Sequence, residues 1–253
     1  MTRVLAALLV LVLASACGGG GDDEAAAAKQ KQKREATRAA AAAQGRLTAR
    51  PPATAPEGGP AGLRHLGKAL LYVPPGEGPK HLVLLLHGAT LTPESAMTLL
   101  RPYANDQGLM VLAPKSRGVT WDIVAQGAFG PDVAAIDRLL EQVFAQYPVQ
   151  DVAVAGFSDG ASYALSLGLT NGDLFRSVVA FSAGFIALQE PRGQPRIFIS
   201  HGTHDSVLPI GRTSRRGVPR LRASGYRVEY VEFDGDHEVP PRVARRAALW
   251  LGG

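Results

Sequence analysis

This chain of 253 residues has one cysteine, Cys17, so no disulfide can form within it. Aromatic residues make up only 6% of it, so alanine and other small side chains must fill much of any interior. No His-Glu-x-x-His pattern or established ligand set is present, and no metal is expected. The short glycine runs match neither a phosphate loop nor a strand-linked dinucleotide fingerprint, so no cofactor is expected either. The net charge is +5, yet there is no zinc knuckle, recognition-helix signature or interleaved aromatic and basic platform. Nucleic acid is therefore not an expected partner. The apolar run Val4 to Val12 is too short to span a bilayer comfortably as a mature helix.

What is present begins at the N-terminus. Arg3 precedes the apolar run, and Leu13-Ala14-Ser15-Ala16-Cys17 closes it. This pattern resembles a bacterial lipoprotein signal, although alanine stands at position 14 where such signals usually carry leucine. The resemblance implies removal of residues 1–16, lipidation of Cys17, membrane association, and export to the cell envelope. Gly18, rather than aspartate, follows the cysteine. In a Gram-negative cell that resembles lipoproteins sent to the outer membrane. An ordinary signal peptide with an incidental cysteine is the other reading.

Residues 17–62 read as a flexible tether. Gly18 to Gly21 is followed by an alanine-rich stretch, Ala25 to Ala43, carrying Lys29, Lys31, Lys33, Arg34 and Arg38. That stretch suits a short exposed helix, with no apolar stripe beyond alanine. Arg50 to Pro60 is rich in proline and glycine and reads as extended or disordered chain. Much of the positive charge lies here and near the C-terminus, which favours attraction to anionic lipid or envelope polymer.

The globular domain is expected over residues 63–253. Strands are predicted at 69–73, 82–86, 109–113, 151–155, 178–181, 196–200 and 227–233. Helices are predicted at 93–107, 131–147, 161–169, 210–224 and 241–251. The continuously apolar run Leu82 to Leu86 suits a strand covered on both faces. Alternating strands and helices predict an α/β fold: a three-layer α/β/α sandwich on a mostly parallel sheet. His87-Gly88, Ser158, Asp205 and His237 each follow a predicted strand, at the sheet edge where such folds bind ligands.

Gly156-Phe157-Ser158-Asp159-Gly160 lies between a predicted strand and a predicted helix. A serine on that tight turn is exposed, and the small glycines avoid collisions. Ser158 is thus a nucleophile candidate, the alternative being a serine that caps the following helix. His237, in a loop after the last predicted strand, is the candidate base. Asp205 is the candidate acid to orient it, with Asp234 and Asp236 as competitors close to the histidine in sequence. The order Ser158, Asp205, His237 is the one used on α/β-hydrolase sheets. The backbone amides of Ala89 and Asp159 are expected to form an oxyanion hole. His87, Gly88, Trp121 and Phe185 are candidate pocket residues, Trp121 and Phe185 equally suiting a packing role. His201 and His204 carry metal-capable atoms without a supporting ligand set.

At these residues the chain resembles the α/β-hydrolase superfamily, and most nearly its compact phospholipase/carboxylesterase group. Polyhydroxybutyrate-depolymerase-like and feruloyl-esterase-like enzymes are near relatives. The resemblance spans about residues 68–251 and also takes in His201 to Pro209 and Asp236 to Pro240. It implies a serine esterase that passes through an acyl-enzyme and takes a small-molecule ester. Only one clear strand, 69–73, is predicted ahead of the 82–86 strand that leads into His87, fewer than a full hydrolase sheet carries there, so a trimmed sheet edge is expected. The segment from Phe185 to Pro195 is too small for a large lid, which favours short-chain or soluble esters. A thioesterase or peptidase with the same residues, or an envelope-binding module on this fold, are the alternatives. The oligomeric state is not encoded in any pattern found here.

Overall fold

The computed structural model describes residues 21–187 and 189–253. The expected signal segment and Cys17 lie outside them. Two compact units are present, one ending at Thr37 and the other spanning Arg38–Gly253. The elements in chain order are α1 (Gly21–Ala43), β1 (Gly62–Leu66), β2 (Ala69–Val73), β3 (Lys80–Leu86), α2 (Pro93–Gln107), β4 (Leu109–Ala113), α3 (Asp122–Gln126), α4 (Pro131–Gln146), β5 (Val149–Phe157), α5 (Asp159–Thr170), β6 (Phe175–Phe181), β7 (Arg196–Gly202), α6 (Ser214–Ala223), β8 (Val228–Phe233) and α7 (Pro241–Gly252).

The eight strands form one sheet in the order β1-β2-β4-β3-β5-β6-β7-β8. β1–β2 and β2–β4 pair antiparallel, and every other pair is parallel. Alternation along the strands feeds two cores. Leu82, Leu84 and Leu86 of β3 join the apolar faces of α4, α5 and α6 on one side. Val83 and Leu85 join α2 and α7 on the other. The result is the expected three-layer α/β/α sandwich on a mostly parallel sheet, with no large lid.

Two expectations need correction. The sheet edge is not trimmed, because β1 and β2 both precede β3. β1 (GLRHL) is an edge strand with alternating half-exposed and exposed residues, so it has no apolar run to announce it. It turns into β2 through Gly67, whose φ of 62° suits glycine.

The second correction concerns the tether, whose residues 38–49 are packed into the larger unit. Asp137 of α4, 1% exposed, accepts hydrogen bonds from the Thr48 amide and hydroxyl at 2.6 Å each and from the Ala49 amide at 2.8 Å. It also pairs with Arg38 at 2.8 Å. Asn171 accepts from the Leu47 amide and donates to the Gly45 carbonyl. Ala42 and Leu47 enter the core. Composition suggested a linker because the acceptors that hold this segment lie far along the chain.

Removing Asp137 would leave the Thr48 and Ala49 amides without their acceptor and break one of the ion pairs of Arg38. Asp137→Ala is expected to lower the unfolding free energy by about 3–5 kcal/mol, the usual cost of breaking a buried charge pair. Urea unfolding of the two proteins measures it. Unchanged stability would show that the segment does not depend on this carboxylate.

Candidate active site

β5 runs straight into the serine turn. Ser158 has φ 57° and ψ −119°, a conformation costing on the order of 1–3 kcal/mol unless its surroundings enforce it. They do so from several sides. The Ser158 amide donates to the Phe181 carbonyl of β6 at 2.9 Å. A Cβ on Gly160 would collide with the carbonyl oxygens of Leu86 and His87, and one on Gly156 with the Gly160 carbonyl. Both glycines are therefore required for α5 to approach β3 and β5 closely. Thr90 and Ser182, after β3 and β6, also have positive φ. Among the described residues, all three non-glycine positions of this kind lie at the carboxyl edge of the sheet.

Three of the residues singled out from sequence meet there. His237 Nε2 lies 2.8 Å from Ser158 Oγ, and His237 Nδ1 lies 2.7 Å from Asp205 Oδ2. The Phe157 ring packs against the His237 imidazole with centroids 4.8 Å apart. Asp205 is 5% exposed, and its other oxygen accepts the Val207 and Leu208 amides at 3.0 and 2.6 Å. The competing acids are used elsewhere. Asp236 accepts from the amides of Ser206 and His237 and from the Ser206 hydroxyl, which hold its carboxyl below the usual range. Asp234 pairs with His204 at the surface.

One residue of the site had not been assigned a place in it from sequence. His201, at the end of β7, is fully buried, with Nε2 2.8 Å from the Leu208 carbonyl and 3.1 Å from Asp205 Oδ2. Its Nδ1 lies 2.7 Å from the Ser214 hydroxyl. A neutral ring satisfies all three partners by donating from Nε2 and accepting at Nδ1. Burial lowers its pKa, with the carbonyl and Asp205 pulling the other way. The signal available in sequence was its spacing of four from Asp205 across a glycine turn.

The loop after β3 is fixed from beneath. His87, 1% exposed, donates from Nδ1 to the Gly88 carbonyl at 2.7 Å and accepts the Ser116 amide at Nε2, 3.1 Å away. Trp121 is fully buried, and its indole N–H donates to the His87 carbonyl at 2.8 Å. His87 was a candidate pocket residue and Trp121 equally a pocket or a packing one; both are buried, with their polar atoms used to hold the loop. Gly88 does adjoin the serine: a Cβ there would lie 3.4 Å from Ser158 Cβ. Phe185 is 40% exposed. Trp121 is held in turn by Asp122 and Asp132, which exchange backbone amide bonds at 2.9 Å. Burial pushes both of these carboxyls up. The Thr90 amide is engaged by Val119. The Ala89 and Asp159 amides make no hydrogen bond among the described residues. The Asp159 carboxylate accepts from Thr120 at 2.7 Å.

Residues 131–250 match the Phospholipase/Carboxylesterase family, a stretch that holds Ser158, Asp205 and His237. Among solved structures, esterase PE8 has a TM-score of 0.60 at 22% identity, covering 76% of this chain and 98% of its own. S-formylglutathione hydrolase from Staphylococcus aureus has a TM-score of 0.60 at 18% identity, covering 73% and 92%. A ferulic acid esterase from Anaeromyces mucronatus has a TM-score of 0.55 at 20% identity, covering 73% and 83%. Comparison with curated proteins gives no match. The fold is that of the α/β hydrolases. The family match classes the chain as a hydrolase of the serine-esterase type.

Burial lowers the pKa of both His87 and His201 from 6.5, so the folded state favours their neutral forms. Their contribution to stability is full above pH 6.5 and declines as pH falls from there through the lower folded values. Each ring is expected to be less than half protonated at pH 6.5, as read from its carbon-bound proton shifts in an NMR titration. A midpoint at or above 6.5 for either would show that its neutral hydrogen bonds do not dominate.

Proposed function

We propose that this chain hydrolyses carboxylic esters through an acyl-enzyme, with Ser158 as nucleophile, His237 as general base and Asp205 as the acid that orients it. The observation carrying this reading is the unbroken line from Ser158 Oγ through His237 to Asp205, at 2.8 and 2.7 Å. Its chemistry follows from the donor and acceptor roles. His237 Nε2 takes the hydroxyl proton as Ser158 Oγ bonds to the ester carbonyl carbon. The Asp205 carboxylate accepts from Nδ1, fixes the tautomer and stabilises the imidazolium. The free amides of Ala89 and Asp159 receive the oxyanion, each donor contributing roughly 3 kcal/mol to the transition state. His237 then protonates the leaving alcohol. Water attacks the acyl-enzyme, gives its proton to His237, and releases the acid as Ser158 is reprotonated.

Small or short-chain esters are the proposed substrates. The absence of a large lid supports this, since little protein is available to enclose a long substrate. The chain is further proposed to act at the cell envelope, anchored through lipidated Cys17. That part rests on the sequence from Arg3 to Gly18 alone. A Cys17→Ser variant that stays in the membrane fraction as the parent does would overturn it.

The test of the reaction is hydrolysis of p-nitrophenyl esters with acyl chains of increasing length. Ser158→Ala and His237→Ala are expected to lower kcat by about 10⁴-fold or more, and Asp205→Asn by about 10⁴-fold through the wrong tautomer. The rate is expected to peak at short acyl chains. Activity surviving in Ser158→Ala would remove the nucleophile assignment.

A further inference from the structure

The connection from β6 to β7 is the crossover of the parallel sheet that carries no helix among the described residues. α2, α4, α5 and α6 fill the other crossovers. Between α5 and α6 this leaves a cavity of about 380 Å³. Its floor is apolar, built from Leu165 of α5, Ile199 of β7 and Leu221 of α6, each at most 4% exposed. Its rim carries Arg212, Arg216 and Arg220, all exposed. Ser158, Asp205 and His237 are not part of it.

The rim charges set this cavity apart from an ordinary packing gap. Arg215, on the same helix, is paired with Glu232 through two nitrogens at 2.9 and 2.7 Å. Arg212, Arg216 and Arg220 have no acidic partner among the described residues. Tyr226 also lines the cavity, is 9% exposed, and its hydroxyl has no hydrogen-bond partner among the described residues. Burial raises its pKa, which keeps the hydroxyl a donor. The hydroxyl is therefore free to donate to a ligand or to water on the cavity wall. Guanidinium groups pair in bidentate fashion with planar anions. The volume lies near the lower end of the roughly 300–1,000 Å³ typical of small-molecule sites. It admits a short chain with a head group but not a helix, whose diameter with side chains is about 10 Å.

We propose that this cavity binds a medium-chain carboxylate, its chain against the Leu165, Ile199 and Leu221 floor and its head between the arginines and the Tyr226 hydroxyl. The choice of a carboxylate over a phosphate rests on the esterase reading, because such an enzyme works on carboxylic acyl groups; the length of the chain follows from the volume and apolar floor of this cavity and not from the acyl chains accepted at Ser158. The site is separate from Ser158 and is expected to fill whether or not the serine is reactive.

Calorimetric titration of decanoate, below its micelle concentration, into the full chain tests this. One saturable site is expected, unchanged within about twofold in Ser158→Ala. Affinity is expected to fall at least tenfold in the Arg216→Gln/Arg220→Gln double variant and severalfold in Tyr226→Phe. Decanol is expected to bind at least tenfold more weakly than decanoate. The arginine variant should keep its melting temperature and its rate on p-nitrophenyl acetate, since exposed side chains are removed. No saturable binding, or equal affinity in the arginine variant, overturns the proposal. Tighter binding of decyl phosphate than of decanoate overturns the carboxylate assignment. Arginine-dependent decanoate binding by a chain that hydrolyses no ester would sustain the cavity and defeat only the esterase reading.

Discussion

The carboxylate of Asp205 is the contact on which the candidate site at the carboxyl edge of the sheet depends. It is almost fully buried, and a buried carboxylate is tolerated only when its lone pairs are used. Here they are. One oxygen accepts two consecutive backbone amides, so the acid folds its own loop around itself. The other meets His237 and His201 from two different elements. The loop from Gly202 to Leu208, the end of β7 and the loop after β8 are thereby tied to one atom group. The backbone supports the same junction. Gly202 lies so close to the Gly235 and Asp236 carbonyls that a Cβ would not fit, and the Thr203 and His204 amides donate across to Phe233 and Gly235. His237 is thus aimed at Ser158 by contacts that would exist with no substrate present, the preorganisation that the proposed reaction requires.

The serine side is built on a different principle. Little there depends on charge. Ser158 is held in an unfavourable backbone region by the pairing of β5 with β6 and by the close approach of α5, which Gly156 and Gly160 permit. The loop after β3 is positioned by neutral groups: one histidine ring bridging two backbone atoms and one indole donor. Burial keeps that histidine neutral and removes competition from water, so the same desolvation that lowers its pKa stiffens the loop. Asp122 and Asp132 form the foundation, exchanging backbone amides beneath Trp121.

Most of the fold was legible because its strands are short apolar runs and its helices have clear limits. Pro93 after Thr92 and Gly108 at a left-handed C-cap bound α2 at the positions expected. Ser158, Asp205 and His237 were legible because glycines and strand ends mark the turns where such side chains emerge. The features that escaped have two physical causes. β1 is an edge strand with solvent on its outer side, so its sequence carries no continuous apolar signal. The packed segment 38–49 is polar and alanine-rich, held by Asp137 and Asn171 from α4 and the end of α5. His87, Trp121 and His201 act through buried hydrogen bonds to backbone and hydroxyl groups distant in sequence. Local pattern reports burial and turns; it does not report which buried acceptor a donor will find.

The β6–β7 connection shows how such long-range satisfaction substitutes for an element. An irregular segment beside a core must place its amides somewhere. α5 supplies the acceptors from an otherwise buried apolar helix. The Ser162 hydroxyl accepts the Gly184 and Phe185 amides at 2.9 and 3.4 Å, and the Ser166 hydroxyl accepts the Ala187 amide at 2.9 Å. Each hydroxyl also donates to the carbonyl four residues earlier, Ser162 to Ser158 and Ser166 to Ser162. Two serines one turn apart therefore use both their donor and acceptor capacity. That explains polar residues at fully covered positions of α5, where helix propensity and burial alone would favour alanine or leucine. With no helix among the connection's described residues, a cavity remains between α5 and α6. The two serines thus anchor the connection that runs beside the cavity, and the chain of hydroxyls begins at the carbonyl of Ser158 itself.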